Sequence, residues 1–94
     1  RISKFAADGK FITKWGSEGT GDGQFTRIED IAVDPSSGDV YVAELGNGRI
    51  SKFAADGKFI TKWGSEGTGD GQFTRIEDIA VDPSSGDVYV AELG

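Results

Sequence analysis

The sequence predicts an all-β protein built from a repeated sheet, and two observations lead to that prediction. Moving the 94-residue chain along itself by 48 positions superposes residues 1–46 on residues 49–94 without a mismatch. A fixed period of about 20 to 50 residues is typical of proteins that stack one structural unit many times. Short runs of β-branched and aromatic residues alternate with turns rich in Gly, Asp and Pro, and no run has helical periodicity.

One repeat unit, taken over residues 28–63, is predicted to form four antiparallel strands joined by short turns. The first turn contains Asp34 and Pro35, which favour a tight reversal. The second is Gly46-Asn47-Gly48, a strong hairpin signal, and the third contains Asp56-Gly57. The predicted strands are residues 31–33, 40–45, 49–53 and 59–63.

Both faces of this predicted sheet carry apolar side chains. Along the second strand, Val40 and Val42 point to one face, while Tyr41, Ala43 and Leu45 point to the other. The same alternation predicts that Phe59, Thr61 and Trp63 share one face of the fourth strand, with Ile60 on the opposite one. A sheet that is apolar on both sides must lie between two others. Blades stacked around a propeller axis satisfy this requirement, so we expect a β-propeller of four-stranded antiparallel blades.

Five motifs in fixed order strengthen the prediction, namely GDGQF, IAVD, GDVYVAE, GNGRISKF and GKFITKWG. Together they resemble the blade of NHL-repeat β-propellers, and the resemblance covers both repeats. It implies that IAVD is the innermost strand, VYVAE the second, RISKF the third and FITKW the outermost. The identity of the two copies is similar to that of designed propellers built from identical blades. It indicates a designed or consensus sequence, with a very recent duplication as the alternative.

Composition and charge exclude several classes of function. The chain has 10 Lys and Arg against 16 Asp and Glu, a formal net charge of −6, which argues against a nucleic-acid-binding surface. No apolar run reaches the roughly 18 residues of a membrane helix, and no signal peptide is visible, so no membrane partner is expected and the compartment is not indicated. The absence of His and Cys removes imidazole bases, thiolate ligands and disulfides. Methionine is also absent, so translation is expected to start upstream of Arg1.

The candidate site is a set of carboxylates at the predicted inner rim. NHL blades usually have Pro-x-Gly before IAVD, whereas this chain has Ile28-Glu29-Asp30. Adjacent residues of an extended segment point to opposite faces, so Glu29 and Asp30 are not expected to form a catalytic dyad within one chain. Copies from neighbouring blades could raise a carboxyl pKa or hold a cation. The candidate cation ligands are Glu29, Asp30, Glu77 and Asp78, and the alternative is a solvated acidic rim. No catalytic residue, resident metal or cofactor is expected.

The glycine-rich segment GSEGTGDGQF, at residues 16–25 and 64–73, is predicted to connect blades. It lacks the Gly-Lys-Ser/Thr ending of a P-loop and has too few acidic ligands for an EF-hand. Phe25 and Phe73 are expected to anchor it between blades. Ordinary structural roles are also predicted for other conspicuous residues: inter-blade packing for Trp15 and Trp63, turn hydrogen bonds for Asp34 and Asp82, and solvated positions for Lys4, Lys10 and Lys14.

The strand order divides the chain into two repeats that do not coincide with blades. Residues 1–48 hold the third and fourth strands of one blade and the first and second strands of the next, and residues 49–94 follow the same order. This gives one complete blade and two half-blades, and an open strand edge favours pairing with a second copy. We expect a head-to-tail homo-oligomer. Its predicted interface comprises Arg1, Ile2, Ser3, Lys4, Phe5, Val88, Tyr89, Val90, Ala91, Glu92 and Leu93.

A tetramer of eight blades is favoured, because carboxylates around a narrower rim repel one another more strongly. A trimer of six blades is the alternative, since six is common among NHL propellers. Three functions are compatible with these features: a self-assembling structural scaffold, a module that binds a protein, small ligand or cation at its face or acidic channel, and an enzyme. The sequence favours the scaffold and predicts no enzymatic activity, because identical blades carry no differentiated site and no His or Cys is present.

Overall fold

A computed structural model describes all 94 residues. It contains ten β-strands and no helix, and therefore no helix that is long and apolar enough to cross a membrane. The all-β prediction is confirmed. The strands are β1 (Ile2–Phe5), β2 (Phe11–Trp15), β3 (Ser17–Glu18), β4 (Gln24–Phe25), β5 (Ile28–Val33), β6 (Val40–Glu44), β7 (Arg49–Phe53), β8 (Phe59–Trp63), β9 (Ile76–Val81) and β10 (Val88–Glu92).

Three antiparallel sheets follow one another along the chain. The first sheet is the pair β1–β2, the middle blade has the order β5-β6-β7-β8, and the last sheet is the pair β9–β10. A short parallel pair, β3–β4, lies inside the first connector, residues 16–25. Meandering four-stranded sheets are the units of β-propellers, and the middle blade has this form.

The inner strand of the middle blade is longer than the sequence predicted. It begins at Ile28 rather than Ile31, and Ile28 lies opposite Glu44 with a register irregularity before Asp30. Glu29 and Asp30 have low strand propensity, which is why the prediction excluded them. Pairing with β6 overrides that preference because it satisfies the backbone groups of this segment. The second strand in turn ends at Glu44, one residue before the predicted end.

A bulge at the outer edge corrects one predicted alternation. The register of β7 and β8 places Ile50 opposite Trp63 but Phe53 opposite Phe59, with an irregularity after Lys52. One extra residue in β8 changes the face to which the following side chains point. Phe59 and Trp63 therefore contact different cores, and the prediction that they share a face is wrong.

Two hydrophobic cores lie on either side of the middle blade. The first inter-blade core faces the first sheet and consists of Ile2, Phe25, Val40, Val42 and Phe53. The second inter-blade core faces the last sheet and consists of Tyr41, Ala43, Ile50, Phe73, Ile76 and Ile79. The predicted alternation along β6 is thus observed, since its side chains contribute in turn to both cores. Each blade-to-blade contact is closed by a Phe from a connector, Phe25 or Phe73, as expected.

Candidate functional site

The inner strands of neighbouring sheets bring two of the predicted carboxylates together. Asp30 lies on β5 and Asp78 at the equivalent position of β9. The backbone amide of Ile79 donates to Asp78 Oδ1 at 2.9 Å and to Asp30 Oδ2 at 3.1 Å. Two carboxyl groups that converge on one amide are close enough to share a proton.

The proximity of Asp30 and Asp78 shifts the pKa values of their carboxyl groups in opposite directions. The hydrogen bond with Asp30 raises the pKa of Asp78 above its usual value, and the Ile79 amide opposes that rise less strongly. Burial acts to raise the pKa of Asp30, but the hydrogen bonds from Asp78, Ile31 and Ile79 together bring it below its usual value. When the pair holds a single proton, that proton therefore lies on Asp78 rather than on Asp30.

The glutamates of the predicted rim are engaged elsewhere. Glu29 Oε2 lies 3.7 Å from Arg27 Nε, and Glu77 Oε2 lies 3.4 Å from Arg75 Nε, so each pairs with an arginine of its own segment. The structure contains no group of three or more Asp, Glu, His or Cys placed to share a metal ion. Of the four candidate cation ligands, only Asp30 and Asp78 come together.

The middle blade contains a buried ion pair that was not predicted from the sequence. Arg49 Nε donates to Glu44 Oε2 at 2.7 Å, with side chains 8% and 0% exposed respectively. Glu44 also accepts hydrogen bonds from Asn47 Nδ2 at 2.9 Å and Ser51 Oγ at 3.0 Å. Every partner of this carboxylate lies in the β6–β7 hairpin, which satisfies a charge that would otherwise be costly to bury.

The rest of the Arg49 guanidinium binds the first connector. Its two terminal nitrogens donate to three backbone carbonyls, those of Thr20 at 2.7 Å, Gly21 at 3.1 Å and Gln24 at 2.8 Å. We call Glu44, Arg49 and these three carbonyls the guanidinium cluster. These hydrogen bonds attach the connector to the blade that follows it. The glycine-rich segment therefore connects two blades and also supplies the backbone carbonyls that bind an arginine side chain.

A sequence signal for this cluster exists. Glu44 and Arg49 carry opposite charges, flank the predicted Gly46–Gly48 turn, and lie directly opposite each other in the register of β6 and β7. Side chains of opposite charge that face each other across two paired strands attract, so the ion pair could have been expected. Its complete burial could not, because that depends on a connector whose path the sequence pattern does not define.

The connector keeps its shape through its own side chains. The amide of Gly21 donates to Gln24 Oε1 at 3.0 Å, and Gln24 Nε2 donates to Ser17 Oγ at 3.2 Å. The Phe25 ring lies directly over Gly16, where a Cβ would collide with it. The predicted anchor role of Phe25 is therefore explained by a glycine that leaves room for its ring.

Other predicted residues have the roles of ordinary structure. The side chains of Asp34 and Asp82 each accept a backbone amide at 2.9 Å, from Ser36 and Ser84 respectively, as expected for turn residues. Trp15 and Trp63 pack against the first and second inter-blade cores, as expected. Lys4 differs from the prediction of a merely solvated position, because its Nζ donates to the carbonyl of Ala55 in the neighbouring blade at 3.0 Å.

Comparison with known proteins agrees with this geometry. Residues 25–53 match the NHL repeat, a segment that runs from the Phe25 anchor through β5, β6 and β7. Over 53 residues the chain is 42% identical to the mouse peptidyl-glycine alpha-amidating monooxygenase. That alignment covers 52% of this chain and 5% of the mouse protein, so the chain corresponds to a small part of that relative. The chain thus contains an NHL repeat, and its sheets fit an NHL-type β-propeller.

Proposed function

We propose that this chain is a structural scaffold, a β-propeller whose ring closes by head-to-tail association of identical two-repeat chains. In this proposal the repeats are a designed or consensus sequence with no evolved catalytic activity. One observation carries the proposal: side chains that are buried in the middle blade are exposed at equivalent positions of the first and last sheets. Phe53 is 0% exposed and Phe5 57%, while Tyr41 is 4% exposed and Tyr89 62%.

The middle blade supplies the geometry of the proposed contact. Strands β6 and β7 pair without irregularity from Val40 opposite Phe53 to Glu44 opposite Arg49. Strand β10 has the same sequence as β6. Strand β1 has the same sequence as the last four residues of β7, and Arg1, which precedes β1, is the counterpart of Arg49. Applying the 48-residue shift pairs β10 of one copy with β1 of the next. The expected pairs are Val88 with Phe5, Tyr89 with Lys4, Val90 with Ser3, Ala91 with Ile2, and Glu92 with Arg1.

A groove at the edge of the first sheet supports the same partner. It has a volume of about 550 Å³, and its lining includes Arg1, Gly16 and Phe25. The equivalent space of the second repeat is occupied, since Gly48 lies against Glu66 and its carbonyl lies beside Gly64. In the proposed ring, Gly94 of a second copy, the counterpart of Gly46, comes within two sequence positions of the place that Gly48 occupies in the second repeat.

The native mass of the 94-residue chain tests the proposal. We expect a species of four chains of 9.9 kDa, an eight-bladed ring, in light scattering or native mass spectrometry. A closed species of three chains would correct the blade number to six and contradict the argument from rim repulsion. A folded monomer at all concentrations would contradict the scaffold itself.

A second candidate function is a binding module that uses the acidic channel. The convergence of Asp30 and Asp78 favours it, because paired carboxylates attract cations. Calorimetric titration with Ca²⁺ tests this function, with Asp30→Asn and Asp78→Asn combined as the variant and Asp70→Asn as the control. Heat that is lost only in the double variant would support cation binding, and no heat with the original chain would contradict it.

We infer that the chain is not an enzyme. The Asp30 and Asp78 pair is the candidate for acid–base chemistry, and its two carboxyl groups accept the same backbone amide, that of Ile79. The sequence has no His or Cys to act as a base or thiolate nucleophile beside them. A turnover that disappeared in the double Asn variant would contradict this inference.

A further inference from the structure

We propose that the last sheet carries a preformed binding site for a guanidinium group, and that its ligand is Arg1 of the next copy. The site consists of the Glu92 carboxylate and the backbone carbonyls of Thr68, Gly69 and Gln72. This inference rests on the proposed assembly and names the polar contact that locks it.

The occupied version of this site is the guanidinium cluster of the middle blade. Shifting its members by 48 residues converts Glu44 into Glu92 and the three carbonyls into those of Thr68, Gly69 and Gln72. The same shift carries Arg49 past residue 94, where the sequence counterpart in a head-to-tail ring is Arg1 of the following copy. The chain therefore holds one filled site and one site without its arginine.

The second connector keeps two backbone hydrogen bonds of the first although no arginine binds it, while its parallel pairing is reduced to a single bridge between Glu66 and Phe73. The amide of Gly67 donates to the Phe73 carbonyl at 3.0 Å, as Gly19 does to that of Phe25. The amide of Gln72 donates to the Gly69 carbonyl at 3.1 Å, as Gln24 does to that of Gly21. Because the carbonyls are held in position before a ligand arrives, binding costs little ordering of the backbone.

The side chain of Glu92 has a different hydrogen-bond partner from that of Glu44. Glu92 Oε1 accepts the amide of Thr74 at 2.9 Å, whereas its counterpart Glu44 is occupied by Arg49, Asn47 and Ser51. Glu92 and Arg1 are both exposed, while Glu44 and Arg49 are buried. Docking of a second copy thus exchanges a weak surface contact of Glu92 for a buried, charge-assisted one.

The chemistry of the site selects arginine over lysine. Arg49 binds one carboxylate and three carbonyls at once, which uses donors spread over a planar fork. A lysine ammonium concentrates its donors at one point and cannot reach the same four acceptors. Arg1→Lys therefore preserves the positive charge but removes the planar set of donors that binds the carboxylate and the three carbonyls together.

The dissociation constant of the assembly, measured by analytical ultracentrifugation, tests the inference. Arg1→Lys is expected to weaken assembly at least about tenfold, because lysine keeps the charge but loses hydrogen bonds to the connector carbonyls, and the loss of one charge-assisted hydrogen bond already has an effect of this size. Arg75→Lys is the control, because the Arg75 side chain is exposed and pairs only with Glu77. Since Arg1 is exposed and forms no hydrogen bond within the chain, the variant is expected to keep the circular dichroism spectrum of the original.

Hydrogen exchange of the arginine Nε–H groups provides an independent readout by NMR. Arg49 is expected to be protected at every concentration, and Arg1 only in the assembled state. If Arg1→Lys assembles as tightly as the original chain, or the Arg1 Nε–H of the ring exchanges as fast as that of Arg75, the guanidinium site is wrong while the ring stands. An original chain that stays monomeric overturns the proposed assembly, and this inference with it.

Discussion

At the scale of single residues, the identical repeats place the same side chain in two different environments. Glu44 is fully buried with three hydrogen-bond donors, whereas Glu92 is exposed and bonds only to Thr74. Burying a carboxylate is favourable only if its partners are complete. Substitutions of the exposed Glu92 therefore serve as a control, within the same chain, for the stability that is lost when the buried Glu44 is substituted.

Glu44→Gln is expected to lower the free energy of unfolding by about 3 kcal/mol, because it leaves the buried Arg49 without its counter-charge. Glu92→Gln should change it by less than about 0.5 kcal/mol, as for other exposed positions. Urea unfolding at concentrations too low for assembly measures both values. Equal effects of the two substitutions would contradict the importance of the buried pair.

Asp78→Asn tests the shared proton at the inner rim. The pKa of Asp78 is raised in the folded chain, so its contribution to stability is present at low pH and is lost as the pH rises through that raised value. Asparagine cannot ionise and can still donate to Asp30. The variant should therefore gain thermal stability over the original chain as the pH rises from the ordinary value of 3.8 toward neutrality.

The control for this experiment is Asp70→Asn, which makes the same change of net charge at an exposed position. The midpoint of thermal unfolding is compared across the pH range for all three chains. A gain of the same size in both variants would show that overall charge, and not the Asp30 contact, sets the pH dependence.

At the scale of elements, glycines determine how closely a connector can approach its blade. Gly64 has a φ of +104°, and an added Cβ would collide with the Phe73 ring. Gly71 also has a positive φ, +75°, but an added Cβ would have no neighbour within 4 Å. The first glycine is needed for conformation and for space, and the second for conformation alone.

Substituting each glycine by alanine separates these two requirements. Gly71→Ala is expected to cost about 1–2 kcal/mol, the penalty of a left-handed backbone. Gly64→Ala should cost about 1–3 kcal/mol more, because a methyl group must be accommodated in a packed contact. Chemical denaturation of both variants measures the difference, and equal losses would mean that the Phe73 contact is easily rearranged.

Most elements could be predicted from sequence because turns and alternating apolar residues define them locally. The errors have identifiable causes. Ile60 is apolar and fits a regular strand, so nothing local revealed the bulge that separates Phe59 from Trp63. Glu29 and Asp30 have poor strand propensity, yet pairing across the sheet includes them in β5. The guanidinium cluster joins residues from three separate segments, and only the folded chain brings them together.

At the scale of the whole molecule, the open edge strand β10 is the exposed counterpart of the central strand β6. Tyr41 of β6 packs edge-on against Trp63, with the Lys52 ammonium 5.3 Å from the centre of its ring. In the proposed ring Tyr89 makes the equivalent contacts with Trp15 and Lys4 of the next copy. Its burial there would remove one of the most exposed large apolar side chains of the single chain from water.

Tyr89→Lys is expected to abolish the ring while preserving the fold of the single chain. The new ammonium would meet Lys4 of the partner copy, and an exposed tyrosine contributes little within the monomer. Ile12→Lys is the control, since Ile12 is 51% exposed on an outer strand outside the proposed interface. Sedimentation velocity compares the two variants. A ring that survives Tyr89→Lys would mean that β10 is not at the interface.

The short turn between β6 and β7 affects the competition between strand pairing within one chain and strand pairing between chains. Strand β1 of another molecule has the same sequence as the last four residues of β7, so both can pair with β6. Strand β7 is favoured chiefly because the Gly46–Gly48 turn connects it covalently to β6. A tether this short maintains an effective concentration on the order of millimolar or above. In dilute solution each hairpin pairs within its own chain. As the protein concentration approaches the effective one, foreign strands compete on equal terms, and linear polymers form at the expense of closed rings.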